Sequence, residues 1–310
     1  MKHIVEVAEI SIKVPWGHIA AKWWGSRLTR PIVLIHGWQD NAGTFDALIP
    51  LLPRQASYLA IDLPGHGLSS YLPSGMIYSQ LNYVYVLRWI YKHYNWDRMS
   101  LIGHSMGAIV SFYYACSFPD ECDMVLAIDA LVPHPTNNSL FLDSFRNGLN
   151  DIMIADERNI SGTEPPSYPY EIVEKKLLTG VFSSYTKETL PFLLVRGITE
   201  SKSNQNKYFF TRDNRIKARN IFYAQEREAY VEMASRIKIP YCYIKALQCG
   251  FSQWDYIDEI LATMKSSNAM FEVHGVDGDH HVHLTDPEKV GPIVSQFLYT
   301  HRLAKVSSKL

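Results

Sequence analysis

The chain has no long apolar run, no excess of either charge and few cysteines. No stretch reaches the roughly 18–20 consecutive apolar residues of a membrane-spanning helix, so we expect no membrane span. The 310 residues carry 30 basic and 31 acidic side chains, and they lack the basic footprint of a nucleic-acid-binding protein. The four cysteines show no spacing typical of a metal site or a disulfide framework, which favours free thiols in a reducing compartment.

Both ends of the sequence give expectations about location. Residues 1–14 alternate apolar and polar side chains, which is typical of a strand and not of the apolar core of a secretory signal. The last three residues, Ser308, Lys309 and Leu310, match the peroxisomal import signal S-K-L. We therefore expect a peroxisomal protein that binds an import receptor through these residues; without that import it would be cytoplasmic.

Short apolar runs alternate with helix-length segments in the first part of the sequence. The runs VLI and LAI end in Gly, Asp or Pro, as strands buried on both faces do. This alternation predicts an α/β fold with a mostly parallel central sheet flanked by helices. Strand patterns stop after the sixth strand and resume near residue 239. The sequence thus predicts a core of residues 1–132 and 239–310, and a helical cap of residues 133–238.

The strongest local signal is the G-x-S-x-G motif of residues 103–107. It follows the apolar run MSLI and opens the helical segment AIVSFYYA, the context in which the motif is informative. A serine on a sharp strand-to-helix turn needs neighbours without Cβ atoms, which Gly103 and Gly107 provide. The pattern predicts that Ser105 is a nucleophile exposed at this turn. The other interpretation is a plain helix cap.

A nucleophilic serine also needs donors for the oxyanion that forms on its substrate. We predict the backbone N–H groups of Trp38, which follows the strand PIVLI, and of Met106, which follows the nucleophile. The side chain of Trp38 either lines the pocket or packs inside the protein.

Several longer motifs resemble a known fold superfamily. The segments HGWQDNAGTFDALIPLLP, IDLPGHGLSS and LIGHSMG, followed by a cap and a late histidine, resemble the α/β-hydrolase fold over residues 31–287. Within it, VPWGHIAAKWWGS, FFTRDNRIK, YIKALQCGF and VDGDHHVHLTDPE resemble the serine hydrolase-like (kraken-type) proteins of animals. The resemblance implies a serine hydrolase, and for some members of that group a peroxisomal location.

The same resemblance bears on the three histidines of GDHHVHL. In the wider family the catalytic base follows the last strand and precedes a helix, often as G-x-H-x-x-H, which His280 and His283 match in that order. Imidazole is suited to take the serine proton and return it to the leaving group. We therefore predict His280 as the base, with His283 as the alternative and His281 as a bystander. His36, His66 and His104 are interpreted as structural.

Crowded histidines also raise the alternative of a metal site. Asp277 and Asp279 lie close enough in sequence to assist as ligands, but there is no H-E-x-x-H motif. We expect neither a metal nor another cofactor.

The acid that orients the base is open between two positions. Many members of the fold carry it in the loop after the seventh strand, where this chain has no carboxylate before Asp255. The end of the sixth strand is a second accepted place, and Asp129 stands there. A buried carboxylate at that place orients the imidazole and stabilises its charged form. We predict Asp129 with Asp255 in reserve; Asp129 also fits a turn-capping role.

These residues predict a carboxylesterase-like serine hydrolase that cleaves a small acyl ester or thioester through an acyl-enzyme. One alternative is a peroxisomal acyl-CoA thioesterase, because basic residues cluster over 212–219. A solvated helix face and an anion-binding surface both fit this cluster. Another alternative is a catalytically silent binding protein, which the missing acid after the seventh strand favours.

Overall fold

The computed structural model describes residues 6–133, 138–180, 184–218, 226–249 and 256–304. The reserve acid Asp255, the basic residue Arg219 and the terminal residues Ser308, Lys309 and Leu310 lie outside these ranges.

Ten strands are found in the described residues: β1 (Val7–Val14), β2 (Gly17–Trp24), β3 (Ile32–Ile35), β4 (Tyr58–Ile61), β5 (Met99–His104), β6 (Cys122–Ile128), β7 (Ile198–Glu200), β8 (Tyr208–Phe210), β9 (Tyr241–Ala246) and β10 (Phe271–Val276). Eight of them form one sheet in the order β1-β2-β4-β3-β5-β6-β9-β10. β2 pairs antiparallel with β1 and β4, whereas every other pairing within this eight-stranded sheet is parallel. The predicted mostly parallel sheet is confirmed.

Nine α-helices accompany these strands in the described part of the chain: α1 (Gln80–His93), α2 (Met106–Ser117), α3 (Asn138–Ser161), α4 (Tyr170–Leu178), α5 (Leu190–Gly197), α6 (Arg227–Ser235), α7 (Ile257–Ser267), α8 (Val282–Thr285) and α9 (Pro287–Leu298). Ser79 caps α1, because its hydroxyl accepts a hydrogen bond from the backbone N–H of Asn82. None of the helices in these residues has both the length and the apolar composition that crossing a bilayer requires.

The two faces of the sheet are covered by separate apolar cores. Alternate residues of β3 point to the two faces. Val33 and Ile35 belong to the apolar core that includes residues of α1, α2 and α7, and Ile32 and Leu34 belong to the core that includes residues of α8 and α9. All four side chains are buried, which explains why a strand covered on both sides appears as an unbroken apolar run. The sheet therefore forms a rigid layer whose carboxyl edge carries the loops described next.

The segment between β6 and β9 contains α3, α4, α5 and α6, as the predicted helical cap requires. The sequence analysis did not predict one feature of this segment, the two-stranded antiparallel sheet formed by β7 and β8. Each strand has only three residues, which is too short to give a period-2 pattern in sequence. The boundaries of the cap as a domain stay a prediction.

Candidate active site

Ser105 stands at a strained turn between β5 and α2. Its backbone has φ 52° and ψ −119°, a conformation rare for a residue with a side chain. A Cβ added at Gly103 would lie 2.3 Å from the carbonyl oxygen of Gly107. A Cβ added at Gly107 would lie 2.0 Å from the carbonyl oxygen of Ile35. Both glycines of the motif are therefore required by close backbone contacts.

Ser105, His280 and Asp129 form one chain of hydrogen bonds. The Nε2 atom of His280 lies 2.9 Å from Oγ of Ser105, and its Nδ1 atom lies 2.7 Å from Oδ2 of Asp129. The three residues come from loops that follow β5, β6 and β10. Because these strands are parallel, their carboxyl ends meet at one edge of the sheet, which brings distant residues together.

Asp129 is held in place from two sides. It is only 2% exposed, and its backbone has φ 51°, so the chain turns sharply as it leaves β6. Its second oxygen, Oδ1, accepts a hydrogen bond of 2.9 Å from the backbone N–H of Ala246 on β9. A carboxylate accepts only, so Nδ1 of His280 must be the donor. Nε2 is then free of hydrogen and accepts from the hydroxyl of Ser105.

A thiol that the sequence did not single out lies beside this chain. Sγ of Cys249, just after β9, is 3.7 Å from Nδ1 of His280. Cys249 lies in the loop after β9, and within the described residues the carboxylate that meets His280 is Asp129, in the loop after β6. All four cysteines are free thiols in the structure.

The neighbouring histidines are buried and neutral. Nε2 of His104 donates to the carbonyl oxygen of His280 over 2.9 Å, and Nε2 of His283 lies 2.9 Å from Oγ1 of Thr44. Burial lowers the pKa of His283 to about 3 and the pKa of His104 and His281 well below the usual value. These rings support the segment that carries His280 and stay uncharged near neutral pH.

The metal alternative competes with this arrangement. Ring nitrogens of His104, His280 and His281 lie within 4.8 Å of one another. Both nitrogens of His280, however, are already engaged by Ser105 and Asp129. A metal bound to His280 would therefore break the hydrogen bonds that join Ser105, His280 and Asp129. The side chains present fit these hydrogen bonds better than they fit a metal site.

The two predicted oxyanion donors border the same space as Ser105. Trp38 and Met106 line a cavity of about 480 Å³, together with Ser105 and His280. The backbone approaches the serine closely here, since a Cβ added at Gly37 would lie 3.2 Å from Cβ of Ser105. The N–H of Met106 is the first of α2, and the helix itself offers it no partner.

The side chain of Trp38 has both of the roles left open by the sequence. It lines the cavity, and its indole N–H donates to the carbonyl oxygen of Ile216 over 2.7 Å. This bond connects the loop after β3 to the segment between β6 and β9. Tyr78, Tyr83 and Tyr185 also line the cavity, so aromatic surface surrounds the serine.

Comparisons with known proteins agree with this architecture. A sequence profile of the alpha/beta hydrolase fold matches residues 30–164. The chain is 36% identical to a probable serine hydrolase of Drosophila melanogaster, over 94% of this chain and 87% of the relative. It is 33% identical to a serine hydrolase-like protein of Danio rerio, over 94% of this chain and 88% of the relative.

Solved structures give the same result. A crystal structure of a hypothetical protein from Pseudomonas aeruginosa PAO1 superposes with a TM-score of 0.79 at 25% identity, covering 94% of this chain and 97% of that one. The fold, the motifs and the full-length similarity to these relatives support hydrolase function. This chain belongs to the α/β-hydrolase fold superfamily and, within it, to the family of the serine hydrolase-like proteins.

Proposed function

We propose that this protein hydrolyses a carboxylic ester or thioester through an acyl-enzyme on Ser105. The observation that carries the proposal is the pair of hydrogen bonds from Ser105 to His280 and from His280 to Asp129, 2.9 and 2.7 Å long. The strained backbone at Ser105 supports it, because such strain clusters at functional sites. The 2.9 Å bond puts Nε2 of His280 within reach of the proton that it takes from Ser105, and the 2.7 Å bond to Asp129 orients the ring.

The reaction has two halves that use the same groups. Nε2 of His280 takes the proton of Ser105 while Oγ attacks the carbonyl carbon, and Asp129 stabilises the imidazolium. His280 then gives the proton to the leaving alcohol or thiol, and the acyl group stays on Oγ. Water repeats the cycle: it loses a proton to His280, attacks the acyl carbon, and Ser105 recovers its proton.

The developing oxyanion needs donors in the wall beside Ser105. We assign these to the backbone N–H groups of Trp38 and Met106, whose residues line the cavity with the serine. The positive end of α2 faces the same place and adds a favourable field. Removal of one oxyanion donor typically costs about 10²–10³ in kcat.

A catalytically silent binding protein is the second candidate. The sequence favoured it because the loop after β9 carries no acid. The hydrogen bond between Asp129 and His280 weakens that argument, because it offers the imidazole a carboxylate partner in the loop after β6. The hydrolase proposal is therefore better supported than the silent one.

The test is hydrolysis of p-nitrophenyl esters of increasing acyl length by wild type, Ser105→Ala and Ser266→Ala. Ser266 is exposed on α7, which makes it a matched control. We expect wild type and Ser266→Ala to be equally active, and Ser105→Ala to lose at least about 10³-fold in kcat. Equal activity in all three proteins would contradict the proposal, and a folded wild type inactive on every ester would favour the silent binding protein.

We further propose a peroxisomal location, which rests on Ser308, Lys309 and Leu310. Thioester substrates would suit that compartment. Deletion of these three residues from a fluorescently tagged chain, with the tag at the other end, should turn a punctate signal into a diffuse cytosolic one. Continued import of the truncated chain would refute the proposal.

A further inference from the structure

Three arginines between β6 and β9 have very different partners. Arg196 pairs with Asp62 and Glu9 at 2.8 and 2.6 Å. Arg215 pairs with Asp213 and Asp156 at 2.7 and 3.0 Å. Arg212 has no ion pair with any carboxylate of the described residues. The interpretation of this basic cluster as a solvated helix face is wrong, because Arg215 is only 2% exposed and Arg212 is partly buried.

Arg212 is partly buried, and one of its guanidinium nitrogens has no polar partner among the described residues. Its Nε atom is inaccessible to solvent and has no hydrogen-bond partner among the described residues. Its guanidinium carbon lies 4.1 Å from the ring centroid of Phe210, so the aromatic face holds the group in place. Burial lowers the pKa of Arg212 to about 10. Burying part of a cation without a counter-charge is unfavourable, so the binding of an anion beside Arg212 would be favourable.

Arg196 and Arg215 differ from Arg212 because each has carboxylate partners. Burial alone would also lower the pKa of Arg196 and Arg215. Their carboxylate partners more than offset this effect, and the pKa of each is raised. An anion beside Arg212 would supply the interaction that these two already have.

Arg212 shares the cavity of Ser105 with two further cations. Lys176 and Lys217 line that cavity, and none of its described lining residues is Asp or Glu. An adjoining cleft is lined by the same three cations and by Arg158, with Asp151 the one carboxylate among its described lining residues. Arg212, Lys176 and Lys217 thus line both the cavity of Ser105 and the adjoining cleft, and we call these three residues with Arg158 the cationic group.

We propose that this group binds an oxyanion carried by the substrate, with the guanidinium of Arg212 as its main partner. A planar guanidinium suits two-point contact with carboxylate or phosphate, and the two lysines add point charges. The inference rests on the proposed hydrolase function and defines its substrate class: an ester or thioester with a negatively charged group. That charge lies either on the acyl part as a carboxylate or on the leaving part as a phosphate.

Two matched pairs of substrates separate these sources. For the acyl part, mono-p-nitrophenyl glutarate is compared with p-nitrophenyl valerate, which has the same chain length without the carboxylate. For the leaving part, butyryl-coenzyme A is compared with S-butyryl-pantetheine, which lacks the nucleotide and its phosphates. Values of kcat/KM are measured for wild type, Arg212→Gln, Arg212→Lys, Lys217→Gln and the control Arg54→Gln, whose side chain is exposed outside the cavity.

We expect wild type to prefer the anionic member of one pair, and Arg212→Gln to lose about 10- to 100-fold more in kcat/KM on that member than on its neutral partner. Arg212→Lys should retain part of the preference, and Lys217→Gln should lose less of it. Arg54→Gln should match wild type on both members.

The inference is overturned if wild type hydrolyses neutral and anionic members equally and Arg212→Gln changes neither; the hydrolase proposal then stands. If wild type hydrolyses no substrate of either pair, the hydrolase proposal fails and the inference falls with it. If Arg212→Gln does not fold, Lys217→Gln tests the inference instead, because the exposed side chain of Lys217 can be replaced without unfolding the protein. Selective loss on the anionic substrate supports the inference, and unchanged selectivity rejects it.

Discussion

The exchange of Asp129 for asparagine is predicted to abolish most of the activity without unfolding the protein. The carboxylate accepts two hydrogen bonds, one from the backbone N–H of Ala246 and one from Nδ1 of His280. An amide of the same shape has one acceptor and one donor group. Leaving the buried N–H of Ala246 without a partner costs about 1–3 kcal/mol. The amide oxygen will therefore face Ala246, and the NH₂ group will face His280.

This orientation forces the imidazole into the wrong tautomer. Nδ1 of His280 must then accept from the NH₂ group and carry no hydrogen. The proton moves to Nε2, which is no longer able to take the proton of Ser105. The same substitution in an unrelated Ser-His-Asp enzyme lowers kcat by about 10⁴, which corresponds to about 5.5 kcal/mol in the activation barrier.

The assay is steady-state hydrolysis of the best p-nitrophenyl ester, with urea unfolding as a check on the fold. We expect kcat of Asp129→Asn to fall about 10⁴-fold, with KM within about threefold of wild type. The control is Asp255→Asn, which should keep wild-type activity. Full activity in Asp129→Asn together with a large loss in Asp255→Asn would refute the reasoning and assign the acid to Asp255.

Two further predictions concern stability. Gly107→Ala should lower the free energy of unfolding by about 3 kcal/mol or more, because the new Cβ meets the carbonyl oxygen of Ile35 at 2.0 Å. In the control Gly197→Ala the nearest atom is 3.4 Å away, and equal urea midpoints in the two variants would contradict the argument. Second, burial lowers the pKa of His283 to about 3, so below about pH 6.5 the unfolded chain binds a proton there that the native state does not. Wild type should therefore lose about 1.3 kcal/mol more stability than His283→Gln between pH 7.5 and pH 5.5, and parallel pH profiles in urea unfolding would refute this.

Local chemistry explains why some of the site was predictable. Ser105 lies in a five-residue motif with two glycines. Gly103 closely approaches the backbone of Gly107, and Gly107 closely approaches β3, so neither position has room for a side chain. His280 was predicted from its resemblance to the family pattern, which is contained in the short segment between β10 and the helix that begins at Pro287. Asp129 was predicted from its place at the end of β6, and the structure brings it to His280.

Long-range contacts explain what the sequence left open. The choice between Asp129 and Asp255 depends on which loop meets His280, and 151 positions separate Asp129 from that histidine. The partial burial of Arg212 arises from its packing on Phe210 and from a cavity whose walls come from several segments. The two strands β7 and β8 are too short to show a pattern. Such features are set by tertiary proximity, which residue spacing does not encode.

The nucleophilicity of one hydroxyl is the claim on which the mechanism rests. Reaction with a fluorophosphonate, followed by intact-mass and peptide-mapping mass spectrometry, measures it directly. We predict one phosphonyl group per chain, located on Ser105 and absent from Ser105→Ala and from heat-unfolded wild type. A folded wild type that stays unlabelled, or that carries the label elsewhere with Ser105 unmodified, would contradict the account.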